Sequence, residues 1–85
     1  MDKRTQLRAV DPEMLLLPQE YDAALVGWIH RACQHPIAVY DESKLLQILV
    51  EDGTSYEMAL DHLGYNIKGT WQGEYTPAFM TLLDD

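Results

Sequence analysis

His30, Cys33 and His35 fall within one short stretch, and imidazole and thiolate are good ligands for zinc. A structural zinc site normally closes with four ligands. The chain has no second cysteine and only one further histidine, His62, so His62 or Asp61 would have to complete the set from a distant segment. On a helix His30 and Cys33 stand one turn apart, but His35 lies near the helix end and need not converge. The same pair could be read as a thiol nucleophile and its base. That chemistry needs an orienting third group and an oxyanion site, and no neighbouring residue supplies them. Polar residues close to a helix C-terminus, where a histidine is favourable, explain the motif with fewer assumptions. No cofactor and no bound metal is expected, and the chain is expected not to be an enzyme.

Carboxylates are the other reactive groups in number. Acid–base catalysis needs two of them converging on a cleft from different elements. Asp41 and Glu42 precede an apolar run and are explained by helix capping and the helix dipole. Glu51 and Asp52 close that run, where negative charge is unfavourable. They read as a solvated turn or as part of a contact surface, together with Glu57 and Asp61 further on. Trp71, Glu74 and Tyr75 lie in a glycine-rich loop, KGTWQGEYTP. Loops on a rigid scaffold often carry function, and Trp and Tyr are favoured interface anchors. The competing reading folds both rings back onto the core. These seven residues, Glu51, Asp52, Glu57, Asp61, Trp71, Glu74 and Tyr75, are the candidate partner-binding set.

The elements that position them can be read from periodicity. Leu45, Leu46, Ile48 and Leu49 form an apolar stripe at helical spacing. Asp41 caps its start, and Asp52-Gly53 stops it with a residue that tolerates left-handed backbone. Thr54 and Glu57 have capping-box spacing, so a second helix begins at once, with Tyr56, Ala59, Leu60 and Leu63 on its apolar face. Gln19 to Gln34 shows the longest helical pattern: Tyr21, Ala24, Leu25, Trp28, Ile29 and Ala32 recur on one face. Gly27 inside it suggests a close crossing by another element. Ile37 to Tyr40 reads as extended, and Ala78 to Leu83 as an apolar segment able to pair with it. Residues 1–10 are polar and basic and are expected to be loose. Asp11-Pro12-Glu13 resembles a helix start. The expectation is a single domain over residues 1–85, mainly α: a central helix over about 20–33, a helical hairpin over about 42–66 and a minor two-stranded β element.

The hairpin has the outline of a DNA-reading helix-turn-helix, but its chemistry opposes that role. A recognition helix reads bases and phosphates with Arg, Lys, Asn or Gln near its start, and Thr54 to Leu63 holds no Arg or Lys. The chain carries a formal charge of −8. Lys3, Arg4 and Arg8 face only Asp2 in the first eight residues, a local balance of +2, and the other 77 residues therefore hold −10. Such a body repels nucleic acid and anionic membranes and attracts basic protein surfaces. One cysteine allows no internal disulfide, which fits a reducing cytoplasm. No apolar run approaches the roughly 20 residues of a membrane span.

Tyr21-Asp22, Gly27, Tyr40-Asp41 with Lys44, Asp52-Gly53, Tyr65-Asn66 with Gly69, Trp71, Gly73-Glu74 and Thr76-Pro77-Ala78-Phe79 occur in an order that resembles a family of short hypothetical proteins of tailed phages and prophages. The resemblance covers about residues 14–80. It implies a mobile-element protein working in the cytoplasm of a bacterial host, and it transfers no activity and no residue roles. The leading expectation is a non-catalytic protein-binding module, acting as an inhibitor of a host nucleic-acid-binding defence complex of the anti-CRISPR or anti-restriction type. Its partner would be a protein with a basic surface. The alternative is a phage structural or homo-oligomeric protein whose contacts are apolar, with Trp28, Trp71 and the Met14–Leu17 patch facing a neighbour. A small metal-dependent enzyme ranks third.

Overall fold

The structure is a computed structural model that describes residues 2–30, 32–68, 73 and 75–83, without the side chains of residues 66 and 68. Helix α1 (Lys3–Val10) is followed by an irregular strap, a 3-10 turn (Gln19–Ala24) and strand β1 (Leu25–Ile29). Strand β2 (Ile37–Asp41) runs straight into helix α2 (Glu42–Glu51). Helix α3 (Tyr56–His62) passes into a π-helical turn (Leu63–Lys68), and strand β3 (Ala78–Met80) comes last. β2 is the central strand, antiparallel to β1 and parallel to β3.

This corrects the mainly α expectation. The fold is a small α/β domain, 47% helical with 18% in a three-stranded mixed sheet, and not a helical domain with a minor two-stranded element. The error lies in Gln19 to Gln34. A short apolar run fits a strand as well as a helix, and periodicity alone does not separate the two. Leu25, Val26, Trp28 and Ile29 are β-branched, aromatic or large, and Gly27 weakens a helix by about 1 kcal/mol against Ala. Pairing with Ile37 to Tyr40, invisible in local sequence, decides the outcome. Gly27 is not a crossing point: among the described residues no atom beyond its neighbours comes within 4 Å of where a Cβ would stand. It follows a bulge, because Leu25 pairs with Tyr40 while Gly27 pairs with Val39, and a bulge is a common place for glycine.

The core joins residues of β1 and β2 to the helices and the strap. Met14, Ala24, Leu25, Ala38, Tyr40, Leu45 and Ala59 are almost wholly buried, joined by Leu7, Leu49, Leu63 and Ile67. Met14 therefore faces inward, which removes it from any neighbour-facing patch.

The basic segment expected to be loose forms α1. Asp2 caps it by accepting a hydrogen bond from the Thr5 amide at 2.7 Å, and the cations turn onto their own chain. Arg4 makes a two-pronged contact with Asp22, 2.7 Å at the shortest, and also donates to the Leu17 carbonyl. Arg8 donates to the carbonyls of Pro12 and Met14. The Leu17 amide donates to the Tyr40 hydroxyl at 2.8 Å. Among the described residues the strap pairs with no strand, and side chains satisfy much of its backbone instead. Asp11 ends α1 rather than starting a helix: its amide donates to the Leu7 carbonyl.

The hairpin follows its sequence signals closely. Asp41, almost fully buried, accepts from the amides of Ser43 and Lys44. Gly53 has φ +98°; its amide donates to the Val50 carbonyl and that of Thr54 to Leu49, the paired bonds of a Schellman stop. The second cap is displaced by one residue. Ser55, not Thr54, receives the Met58 amide at 3.3 Å.

Candidate partner-binding surface

On α3 the burial pattern sets what faces outward. Ala59 and Leu63 are buried at i, i+4, with Ile67 one turn further. At about 100° per residue, Glu57 and Asp61 then sit together on the opposite side, and both are exposed. Tyr56 and Leu60 flank them on one side and Met58 on the other. These three are exposed as well, Met58 by 66%. Tyr65, in the π-helical turn, is 80% exposed. No side-chain hydrogen bond or ion pair joins Glu57 or Asp61 to another described residue. The helix thus presents two free carboxylates framed by four large apolar or aromatic side chains.

Glu51 and Asp52 are exposed at the end of α2. They line a shallow cleft of about 280 Å³ with Glu20, Tyr21, Ile48 and Leu49. Three carboxylates share that cleft. Burial, followed by the nearby Glu20 and Asp52 carboxylates, pushes the Tyr21 phenol above its ordinary value. Glu51 is steadied by the Gln47 amide, which donates to it at 3.0 Å. Tyr75 is half-buried against the β1–β2 connection. Its ring stacks on His35 with centroids 4.5 Å apart, and its hydroxyl lies 3.1 Å from His35 Nδ1. Trp71 and Glu74 lie outside the described residues.

The candidate set therefore divides. Glu57 and Asp61 share a helix face, Glu51 and Asp52 share a cleft, and Tyr75 sits with His35. Three contributors escape the sequence reading. Glu20 joins the cleft only because the 3-10 turn packs on α2, a tertiary placement. Tyr56 and Leu60 were assigned inward. Ala59, Leu63 and Ile67 at four-residue spacing carried the signal that the buried stripe is narrow and that Tyr56 and Leu60 lie at its margin.

His30, Cys33 and His35 lie in the connection between two strands rather than along a helix, so the one-turn spacing of His30 and Cys33 does not apply. The His30 ring neighbours Trp28, with centroids 6.3 Å apart, whereas His35 faces Tyr75. Cys33 is exposed at φ +63°. Among the described residues no three His, Cys, Asp or Glu side chains gather as a metal site would need. No helix among them is long and apolar enough to cross a membrane. Compared with known proteins, the chain matches no family model, no curated protein and no solved structure.

Proposed function

We propose that the chain is a non-catalytic protein-binding module that docks α3 onto a basic protein surface of the kind that holds nucleic acid. In a bacterial host this would make it an inhibitor of a CRISPR or restriction complex. The observation that carries the reading is the outward face of α3: Glu57 and Asp61, without partners among the described residues, bordered by Tyr56, Leu60 and Met58. Scattered exposed apolar residues are ordinary on a protein surface; what supports the reading is that three large ones border the same pair of carboxylates on one helix face. The two chemistries divide the work. Carboxylates in a −8 chain steer a basic partner into encounter and reject acidic ones. Aromatic and apolar side chains then supply the energy of close contact by leaving water. Glu20, Glu51 and Asp52 extend the negative field without adding apolar anchors.

The test is capture of partners from a bacterial lysate at low and at raised salt, followed by displacement of DNA from the captured protein. Capture should weaken as salt rises, and DNA and the chain should compete. Glu57→Lys with Asp61→Lys should abolish capture at every salt concentration, and Tyr56→Ala with Leu60→Ala should weaken it without changing its salt slope. A partner that binds DNA and this chain simultaneously would refute the competitive mechanism.

A further inference from the structure

We infer that the groove running over Tyr21 binds an extended segment of another protein, one that carries a large apolar side chain and, a few residues away, a lysine or arginine.

Two open clefts meet at Glu20 and Tyr21, which line both. The first is apolar and holds about 310 Å³. Its walls are Leu15, Leu16 and Leu17 of the strap, Ile67 of the π-helical turn, and Pro77 and Phe79 at the start of the last strand. Apart from Ile67 these residues are only half-buried, so apolar surface remains there to be withdrawn from water. His62 and Thr76 also line this cleft but already have partners, which leaves Glu20 as its free charged group. The second cleft is the acidic one of about 280 Å³ that holds Glu51 and Asp52 over Ile48 and Leu49. Among the described residues no cation pairs with Glu20, Glu51 or Asp52. One continuous groove thus has an apolar end and an acidic end.

Shape and charge select the occupant. A small-molecule site encloses most of its ligand. These clefts are open, so they cover a side chain and leave the backbone that bears it in water. A bare metal ion does not fit, because among the described residues no three acidic side chains gather closely enough to hold one. Carboxylates spread along a cleft suit cationic side chains carried on a chain, and the apolar stem of a lysine or arginine can lie on Ile48 and Leu49. Nucleic acid and anionic membranes are repelled by the same acids. A second copy brings −8 of its own, with Lys3, Arg4 and Arg8 engaged on their own chain. A foreign segment that sets an apolar side chain beside a cation satisfies both ends. Burial of the first supplies contact energy, and the second fixes its direction along the groove.

The groove uses neither Glu57 nor Asp61, so this inference and the α3 reading fail separately. The probe is a capped hexapeptide of leucine, phenylalanine, two glycines, lysine and arginine, made in both orders. It is added at millimolar concentration to the full chain in low salt. Amide chemical shifts of Leu16, Leu17, Tyr21 and Asp52 should move together and saturate, whereas those of Glu57 and Asp61 should stay. Replacing the peptide's two cations by glutamine, or its two apolar residues by glycine, should weaken binding by on the order of tenfold in each case. Glu51→Lys with Asp52→Lys should weaken it by a similar factor, and Leu15→Ser by roughly fivefold, both in chains with the wild-type far-ultraviolet circular dichroism. Glu57→Lys with Asp61→Lys should leave it unchanged. The shift map of the unaltered chain is a readout that depends on no variant folding. No shift with either peptide overturns the inference. Shifts confined to α3 overturn it and leave the α3 reading standing. Equal binding of the glutamine peptide, the glycine peptide or phenethylamine also overturns it, by marking an apolar-only, a charge-only or a small-amine site.

Discussion

The two ends of the charge distribution do opposite things. In the N-terminal quarter every cation is turned onto its own chain: Lys3 onto the Leu25 carbonyl, Arg4 onto Asp22 and Leu17, Arg8 onto Pro12 and Met14. In the hairpin, Glu57 and Asp61 point outward and engage no other described side chain. The first set ties α1 to the strap, the 3-10 turn and β1 and so contributes to folding. The second makes no described side-chain contact, Glu57 aiding α3 only through its place in the first turn, and both carboxylates stay solvated until something basic approaches. Where a charge is spent shows which residues belong to the scaffold and which to recognition.

Breaking the scaffold side should have the largest effect. Arg4→Ala removes the fork on Asp22 and leaves the Leu17 carbonyl without its donor. Charge-assisted hydrogen bonds that are about one-quarter exposed make this worth roughly 2 kcal/mol after screening. Arg4→Lys should recover only part, since an ammonium cannot fork. Chemical denaturation of the two variants measures both, and a loss below half a kilocalorie for Arg4→Ala would show the clamp to be ornamental.

Tyr40→Phe comes next, at about 1–2 kcal/mol near neutral pH, because the buried end of the strap loses the acceptor for the Leu17 amide. Burial holds the Tyr40 phenol above its ordinary value. A phenol whose folded value exceeds its unfolded value near 10 adds stability below that pH, and loses it as pH climbs through the folded value. Wild-type stability should therefore fall in strong alkali, and Tyr40→Phe should lack that portion of the fall. A pH series of melting curves on both proteins checks the sign.

Ser55→Ala should cost about 1 kcal/mol and Thr54→Ala only a few tenths, because Ser55 makes the cap; the reverse order would restore the capping box read from sequence. Smallest of all, Glu57→Lys with Asp61→Lys should change stability by less than about 0.5 kcal/mol. That near-zero value sharpens the contrast with Arg4.

What could be read in the sequence was local. Asp41 as a cap, Asp52-Gly53 as a stop and Ile37 to Tyr40 as extended all depend on residues within a few positions of each other. β1 depends on partners eight to fifteen residues away, beyond the reach of a local pattern, so Leu25 to Ile29 reads as helical. α1 escapes the sequence reading because, beyond the Asp2 cap, much of what holds it is distant: Asp22, Leu17 and Leu25. On the candidate surface the acids could be named from charge alone. The inward or outward fate of Tyr56 and Leu60 required knowing how narrow the Ala59–Leu63 stripe is.

The most direct measurement is equilibrium binding of the captured basic partner to the wild type and to the Glu57→Lys, Asp61→Lys variant across a salt series, with melting temperatures recorded for both. The expected result is a wild-type affinity that falls steadily with salt, a variant that does not bind, and melting temperatures that agree. Affinity that ignores salt, or a variant that binds as well as the wild type, would contradict the division between a folding half and a recognising half.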